Sequence, residues 1–386
     1  MAQPEDDLDQ LASKLNLVAS PGRTGRERTA DQGDAGILAE WLRQVRALNG
    51  SDLLLVAGVP PTIRAAGGRL VRASETVLDG DDIDTAVMPL VPQRLQVKFR
   101  QGEAVDLAFR LAKLGRFRMN VHRERGRPAA AIRALPLRIP RLTELRFSHD
   151  ISGLARLPRG LVLIGGPTGS GKTTTLAALV ADINARETRH IITVEDPIEY
   201  EHAHDRSIIE QVEIGVDAPD FPGSLRAVLR QAPEVIVVGE MRDPETMRMA
   251  VSAAETGHLV FATVHTTDVA AALSRIVDAF PAERQNAVRQ ELAMALAAVL
   301  TQTLVPGTDG TLIPVAELLI ASYGARQHVR KNALQHLHQE ITITRNLGSF
   351  TLEESLARHV QGGRLDRAEA RLRAAHTEEF DSILNR

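Results

Sequence analysis

Residues 161–176 constrain the fold of this chain more than any other segment. They read LVLIGGPTGSGKTTTL: an apolar run, a glycine-rich turn, and then a lysine and three threonines that enter an alanine-rich helical pattern. In a strand–loop–helix unit of this kind, backbone N–H groups and the helix N-terminus bind phosphate oxygens. The sequence therefore predicts a phosphate-binding loop around which the rest of the fold is arranged.

The loop also has the spacing of a defined motif. Residues 166–173 fit the pattern G-x-x-x-x-G-K-[ST], in which the lysine reaches the β and γ phosphates and the last hydroxyl binds Mg²⁺. The alternative is a glycine-rich turn that merely contains a lysine, but the flanking strand and helix favour a triphosphate site. The predicted nucleotide-binding residues are Gly166, Pro167, Thr168, Gly169, Ser170, Gly171, Lys172, Thr173 and Thr174.

Composition excludes several classes of protein. A length of 386 residues predicts two to three domains at about 150 residues each. With 3% aromatic residues, a net charge of −3 and a pI near 6.5, a base-stacking nucleic-acid platform is disfavoured. The absence of cysteine excludes disulfides and thiolate zinc sites. No apolar run approaches the ~20 residues of a membrane-spanning helix, and the acidic N-terminus is unlike a signal peptide, so we expect a cytosolic protein.

Four segments divide the chain. Residues 1–35 are polar with little apolar periodicity, which is typical of a mobile tail. Residues 36–135 combine an amphipathic helix, short strands and two further helical patterns, and we predict a small α/β domain on an antiparallel sheet. The prolines of residues 136–156 indicate an interdomain linker. We expect residues 157–386 to form the nucleotide-binding domain, which becomes mainly helical after Leu300 apart from a strand at residues 315–320 and an ambiguous apolar alternation at residues 339–345.

The small domain carries a strong local charge. Residues 110–146 contain eleven basic and two acidic side chains, a local charge of +9 in a chain of net charge −3. Arg116 and Arg118 alternate with Phe117 and Met119, so both arginines project from one face of a strand. One interpretation is a solvated strand face, and the other is an anion site, for which the planar fork of arginine is well suited.

The nucleotide-binding domain repeats the order strand, loop, helix. Residues 190–195, 234–240 and 258–265 are apolar runs that end in polar residues, as expected of parallel strands buried on both faces. Ligands of such sheets lie beyond the carboxyl ends of the strands. We therefore expect the polar residues that end these strands to lie at the same edge as the phosphate-binding loop.

Four acids are expected at this edge. Glu195, Asp196 and Glu199 follow the first of these strands, and Pro197 holds them in a turn by preventing a helix from starting. One of them would orient or deprotonate an attacking water. Glu240 ends the next strand, where enzymes with such a loop keep the acid of the Mg²⁺ shell. For each acid, the alternative role is to cap the next turn.

Two histidines bound the third strand. His258 opens it and His265 closes it. Each is open to a purely structural interpretation. His265, because it is expected at the edge that binds the γ-phosphate, is a candidate to hydrogen-bond the phosphate or a catalytic acid.

Together these segments resemble a known family. GPTGSGKT (166–173), TVEDPIEY (193–200), APEVIVVGEMRD (232–243) and ETGHLVFATVHTTD (255–268) resemble the Walker A, Asp box, Walker B and His box of type II and type IV secretion ATPases. Within that superfamily the chain is most similar to PilT-type twitching-motility motors, over about residues 37–360. The resemblance implies an α/β fold with a RecA-like P-loop NTPase core, a smaller N-terminal PAS-like α/β domain, and ATP hydrolysis coupled to mechanical work.

The resemblance also implies roles for single residues, with ATP and Mg²⁺ as cofactors. Lys172 becomes the phosphate-binding lysine and Thr173 a Mg²⁺ ligand. Glu199 becomes the catalytic base, and Glu240 acts on Mg²⁺ through its water shell. The His-box pair, also counted as catalytic, is His258 and His265.

Members of the family are hexamers in which arginines of the N-terminal module contact the nucleotide of a neighbour. The resemblance therefore implies a homohexamer, an integral inner-membrane platform protein as partner, and a second pilus ATPase as a further one. It places the protein in the cytoplasm, held at the inner membrane through these partners, without nucleic acid or zinc. The arginine candidates are Arg116, Arg118, Arg123 and Arg133.

Some residues depart from the family pattern and keep several functions open. Retraction motors carry Ala-Ile-Arg-Asn-Leu-Ile-Arg where this chain has GARQHVR (324–330), and Ala232, Pro233 and Glu234 replace Asp-Pro-Asp. The four-cysteine zinc module and long N-terminal extension of the assembly and type II secretion branch are absent, which favours retraction. The alternatives are a type II secretion or pilus assembly ATPase, an accessory pilus ATPase and, least favoured, a nucleic-acid motor.

Overall fold

A computed structural model describes residues 29–30 and 36–385. These residues form two compact units that divide between Leu137 and Arg138. Of the segment 1–35, predicted as a mobile tail, only Thr29–Ala30 is described, and it forms the short strand β1. The rest of that segment lies outside the described residues.

The first unit is built on one seven-stranded sheet in the order β1-β5-β6-β7-β2-β3-β4. All neighbours pair antiparallel except β1 and β5. The strands are β1 (Thr29–Ala30), β2 (Asp52–Val56), β3 (Thr62–Arg64), β4 (Leu70–Arg72), β5 (Val105–Leu111), β6 (Gly115–Glu124) and β7 (Arg127–Ala134). The helices are α1 (Gly36–Ala47), α2 (Gly80–Val87) and α3 (Gln93–Arg100).

The two periodicities of the sequence build the core of this unit. In α1, the buried side chains recur at helical spacing, as predicted: Leu38, Trp41, Leu42 and Val45. In β6, Phe117, Met119 and Val121 are buried and lie in the same core cluster as the helices. The intervening residues of β6 therefore project from the other face of the sheet.

The second unit holds a second seven-stranded sheet. Its strands are β8 (Gly160–Gly165), β9 (His190–Glu195), β10 (Ile208–Glu213), β11 (Val235–Val238), β12 (Leu259–Val264), β13 (Leu296–Pro306) and β14 (Leu312–Ile320). Its helices are α4 (Lys172–Arg186), α5 (Phe221–Val228), α6 (Pro244–Glu255), α7 (Val269–Asp278), α8 (Ala282–Ala295), α9 (Tyr323–Arg330), α10 (Leu337–Ile343), α11 (Leu352–Gln361), α12 (Arg367–Arg373) and α13 (Thr377–Leu384). Among the described residues, no helix is both long and apolar enough to cross a membrane.

Strand order in this sheet is β10-β9-β11-β12-β8-β13-β14. Every neighbouring pair is parallel except β13 and β14, which form an antiparallel hairpin. Strands β8, β11 and β12 are buried at every position, which explains their continuous apolar sequences. The carboxyl ends of β8, β9, β11 and β12 consequently meet at one edge, as expected. We call it the carboxyl edge.

The structure differs from the sequence-based expectations at three places. Most of the segment 136–156, predicted as a linker, belongs to the second unit, because Ile151, Leu154 and Ala155 are buried in its core. The chain after Leu300 continues as strand to Pro306, since β13 pairs with both β8 and β14. Residues 339–345, whose apolar alternation was ambiguous, lie mostly in helix α10.

Candidate functional site

The predicted phosphate-binding loop connects β8 to α4 and curls around its own lysine. Lys172 is 8% exposed, and its Nζ donates to the carbonyl oxygens of Gly166 and Pro167 at 2.8 and 2.9 Å. Burial lowers the pKa of Lys172, and the carboxylates of Glu240 and Glu199 partly oppose this effect. The lysine is thus placed at the carboxyl edge, within electrostatic range of two of the predicted acids.

Gly166 is where the loop tolerates no side chain. Its φ is +151°, and a Cβ there would lie 2.3 Å from the carbonyl oxygen of Gln302 and 2.4 Å from Oγ of Ser170. Either contact is far below van der Waals distance. The backbone at the first glycine of the motif therefore passes directly against β13.

Gln302 of β13 hydrogen-bonds both the loop and the first turn of α4. The sequence analysis did not identify it. Its Oε1 accepts from Oγ1 of Thr175 at 2.8 Å and its Nε2 donates to the carbonyl oxygen of Ser170 at 2.7 Å. Gln302 is 4% exposed. The sequence did contain a sign of this role. Thr301 and Gln302 interrupt an apolar strand, and buried polar side chains require hydrogen-bond partners.

The turn after β9 brings its acids to the same edge. Glu195 accepts from Oγ1 of Thr193 at 2.7 Å and from Nε2 of Gln211 at 3.1 Å. Burial raises the pKa of Glu195, and the negative charge of Glu199 adds to the rise. Glu195 is thus occupied within the turn, whereas Glu199 lies in electrostatic range of Lys172.

Glu240 follows β11 and lies between two basic side chains. Its Oε1 is 3.1 Å from Nε2 of His265, and its Oε2 is 2.7 Å from Nη2 of Arg242. Burial raises the pKa of this carboxyl, but the hydrogen bonds and charges of Arg242 and His265 outweigh it, so the net pKa is lowered. The structure unites Glu240 with His265 as predicted, and it adds Arg242, which sequence reasoning missed.

His258 is not brought to this edge. It precedes β12, and its carbonyl oxygen accepts from the N–H of Gly160 at the start of β8. Its Nδ1 lies 2.9 Å from the carbonyl oxygen of Ala253, and a backbone carbonyl accepts, so the ring donates there. Because β8 and β12 are parallel, His258 lies at the amino end of the sheet and His265 at the carboxyl end. Within one chain, His258 has a structural role in closing α6 onto β12.

Two buried hydroxyl groups at the loop have no partner among the described residues: Oγ of Ser170 and Oγ1 of Thr266. Orphaned buried polar atoms are rare in folded proteins and call for a ligand or water. The same loop leads into the buried Lys172 and the half-buried Thr173 at the start of α4. These donors fit the oxygens of a nucleotide's phosphates. The hydroxyl of Thr173 and the ionised Glu240 are oxygen ligands of the kind that Mg²⁺ prefers.

The four candidate arginines lie in the first unit and divide between the two faces of its sheet. Arg118 and Arg133 are directly opposed on β6 and β7, and Arg116 follows on the same face. Arg123 has the opposite parity on β6; it extends over the ring of Phe99 at 4.7 Å. The structure thus separates Arg123 from the other three, which the sequence did not.

We call the face with Arg116, Arg118 and Arg133 the arginine face. Its exposed arginines are engaged with acids of the same unit. Nε of Arg133 donates to Asp52 at 2.9 Å, and Nη2 of Arg118 donates to Asp106 at 3.4 Å. Arg116 is 7% exposed. Burial therefore distinguishes Arg116 from the other two.

Comparison with known proteins gives matches that extend over both units. A family model described as "Type II/IV secretion system protein" matches residues 81–359. The type IV pilus retraction ATPase PilT of Pseudomonas aeruginosa is 37% identical over 330 residues, which cover 86% of this chain and 96% of that protein. The type IV pilus ATPase PilU of the same organism is 37% identical over 316 residues, 82% of each. A crystal structure of the pilus retraction motor PilT with bound ADP has a TM-score of 0.81 at 37% identity, covering 89% of this chain and 98% of that one.

Proposed function

We propose that this chain, which belongs to the type II/IV secretion system protein family, is a hexameric motor ATPase that drives type IV pilus retraction and twitching motility. The convergence of Lys172, Glu199, Glu240 and His265 at one sheet edge is the observation that carries the proposal. The similarity to a pilus retraction ATPase over 86% of the chain supports pilus retraction as the process that this chain drives.

From the arrangement at the carboxyl edge we infer a role in ATP hydrolysis for each side chain. Lys172 would bind the β and γ phosphates and offset their negative charge, and the nearby carboxylates of Glu240 and Glu199 favour its charged form. Glu199 would accept the proton of the attacking water, because it is the acid of its turn that lies within electrostatic range of Lys172. Thr173 and Glu240 would hold Mg²⁺, and the ion would supply positive charge beside the phosphate oxygens.

His265 and Arg242 keep Glu240 ionised and oriented. Both contact its carboxylate directly, one at each oxygen. A carboxylate fixed in this way presents a constant charge to the nucleotide, whichever stage of the cycle the site is in. His265 is thereby placed to report on the γ-phosphate through its hydrogen bond to Glu240.

The hexamer is part of the proposal, because a neighbour's arginines would complete the site. Arg118 and Arg133 fit this role best among the four candidates, since they lie opposite one another on one sheet face and remain exposed. A nucleotide that draws these arginines more strongly as ATP than as ADP would bias the position of one subunit against the next. We expect an isolated monomer to hydrolyse ATP poorly. Full hydrolytic activity from a form that light scattering shows to be strictly monomeric would contradict this.

A deletion strain that lacks this chain tests which cellular process the ATPase drives. We expect loss of twitching with pili still present, and restoration by the wild-type chain but not by Glu199→Ala. Loss of pili would instead assign the chain to pilus assembly, and loss of protein secretion with normal twitching would assign it to a type II system. We expect the partner to be an integral inner-membrane platform protein, which crosslinking to the membrane fraction would identify.

An accessory pilus ATPase is the second candidate. Its support is the 37% identity to PilU over 82% of the chain and the divergent residues 324–330, which form most of α9. In that case the deletion strain would twitch less than wild type but not stop. A second pilus ATPase would then co-purify with this chain.

A further inference from the structure

A cavity of about 290 Å³ lies beside the β13–β14 hairpin, under the C-terminal helices of the second unit. Three carboxylates and two imidazoles line it: Asp268, Glu317, Glu353, His338 and His376. Among the described residues that line it there is neither lysine nor arginine. The cavity is thus rich in carboxyl groups, of which burial raises the pKa of Glu317 to about 7, and its lining lacks a permanent positive charge.

Two of the lining side chains, His338 and Glu353, converge with Glu379 next to the cavity, each from a different helix. His338 lies in α10, Glu353 in α11 and Glu379 in α13, and one potential ligand atom from each lies within 4.8 Å of the other two. Nε2 of His338 is 2.8 Å from Oε2 of Glu379. The ring of His376 stands 4.3 Å from that of His338, tilted by 52°.

Glu353 is the member that most needs a counter-charge. It is 1% exposed, and its Oε1 accepts from the backbone N–H of His376 at 2.8 Å. In the described part of the chain Glu353 forms no ion pair with an arginine or lysine, whereas Oε1 of Glu379 lies 4.0 Å from Nη2 of Arg345. A buried carboxylate is costly unless it is paired or binds a metal. The position of Glu353 beside a histidine and a second carboxylate therefore points to a cation.

We propose that His338, Glu353 and Glu379 bind a divalent transition metal of the zinc class. One imidazole with two carboxylates is a donor set that Zn²⁺ accepts, at ligand distances of about 2.0–2.2 Å. The expectation of no zinc rested on the missing cysteines, which this donor set does not require. The bound ion would join α10, α11 and α13, and so tie the C-terminal helices to one another.

The orientation of the ligands is partly fixed before any ion arrives. Oε1 of Glu379 accepts from Oγ1 of Thr351 at 3.3 Å, which leaves Oε2 turned to His338. Thr351 is fully buried and caps α11. Hydrogen bonds of this kind hold metal ligands in place.

Titration of the full chain with Zn²⁺ alone, after removal of metals and nucleotide, tests the site. We expect one tightly bound ion per chain by calorimetry, a higher Tm with Zn²⁺, and binding weakened at least about tenfold in His338→Ala and in Glu379→Gln. His190→Ala is the matched control, because His190 and Glu210 form a similar pair at 2.9 Å without a third ligand. That variant should bind Zn²⁺ as the wild type does.

A second measurement on the wild-type chain tests the metal site even if a variant misfolds. The visible absorption of Co²⁺ bound to the wild-type chain should be stronger than that of aqueous Co²⁺, as for a site of low coordination number, and disappear when Zn²⁺ is added. Failure of the wild type to bind either ion would overturn the proposal. So would Zn²⁺ binding that persists in the folded His338→Ala/Glu379→Gln double variant, or that is lost only in Glu240→Gln, since the ion would then lie at the carboxyl edge.

Discussion

The carboxyl edge of the second unit and the arginine face of the first unit are both charged surfaces, but they satisfy their polar groups differently. At the edge, Oγ of Ser170 and Oγ1 of Thr266 have no partner in the described residues. On the arginine face, Arg118 and Arg133 are paired with Asp106 and Asp52. The edge is organised for a ligand that supplies the missing partners, whereas the arginine face is complete within its own unit.

This difference shows what each surface must do to take part in catalysis. The edge gains hydrogen bonds when phosphate arrives. The arginine face must exchange partners, and the exchange is inexpensive because exposed ion pairs contribute about 0–1 kcal/mol each. Arg133 is 64% exposed, and although Asp52 is only 13% exposed, Arg64 lies 3.5 Å from it and stays as a partner when Arg133 leaves for a stronger anion. The comparison makes four predictions.

The largest effect is expected at the edge. Glu199→Ala should retain ATP binding and hexamer formation but reduce turnover by about 10³-fold, since it removes the carboxylate that we propose as acceptor of the proton of the attacking water. Steady-state hydrolysis at saturating ATP measures this. Glu201→Gln, an exposed acid two residues away, is the control. Near-normal hydrolysis by the Glu199 variant would reject it as the base.

The next effect separates the arginines of the two sheet faces. Arg133→Ala and Arg118→Ala should each lower turnover of the hexamer by about 10²-fold, as expected when a donor to the developing phosphate charge is lost. Arg123→Ala, on the opposite face, should change it by less than about twofold, within the ±0.5 kcal/mol of an ordinary surface substitution. Hydrolysis assays on hexamer fractions distinguish them. Equal losses of turnover in all three variants would mean that the sheet face of an arginine does not determine whether it contacts the neighbour's nucleotide.

A smaller effect tests whether the edge depends on support from β13. Gln302→Ala leaves buried groups of Thr175 and Ser170 without their partner and should loosen the loop. We expect affinity for a non-hydrolysable ATP analogue to fall by about tenfold, equivalent to about 1.4 kcal/mol. Calorimetric titration gives the value, with Gln231→Ala as an exposed control. Unchanged affinity would show that the loop holds its shape without β13.

The smallest effect concerns the pH dependence of hydrolysis. The net pKa of Glu240 is lowered because Arg242 and His265 outweigh its burial, so the carboxylate stays ionised to lower pH than it otherwise would. Arg242→Gln removes one of these influences and should raise that pKa, which moves the acidic limb of the kcat profile to higher pH. Arg248→Gln should leave the profile in place. A profile unmoved by Arg242→Gln would mean that Glu240 does not control that limb.

The sequence predicted the edge well because periodicity and motif agree there. The apolar run of residues 190–195 is β9 to the residue, and the glycine pattern located Lys172. Continuous apolar runs imply parallel strands, and parallel strands bring their carboxyl ends together. The arrangement of Lys172, Glu199, Glu240 and His265 follows from those two facts. Family membership and the fold class are confirmed by the matches over most of the chain.

What the sequence could not supply depends on pairing between distant segments. Gln302 lies 127 residues after Thr175, and only the sheet order β8-β13 brings them together. His258 and His265 look equivalent in the sequence, yet the direction of β12 puts them at opposite ends. The linker predicted for residues 136–156 fails for a similar reason: Ile151 and Leu154 find a core that local composition does not reveal.

The β13–β14 hairpin has a mechanical consequence. Thr301, adjacent to Gln302 under the nucleotide loop, is paired in register with Glu317, which lines the C-terminal cavity. Gln302 itself also lines that cavity, while its side chain hydrogen-bonds Ser170 of the nucleotide loop. The loop and the C-terminal helices therefore share one strand as their common wall, and a substitution in β13 reaches both at once.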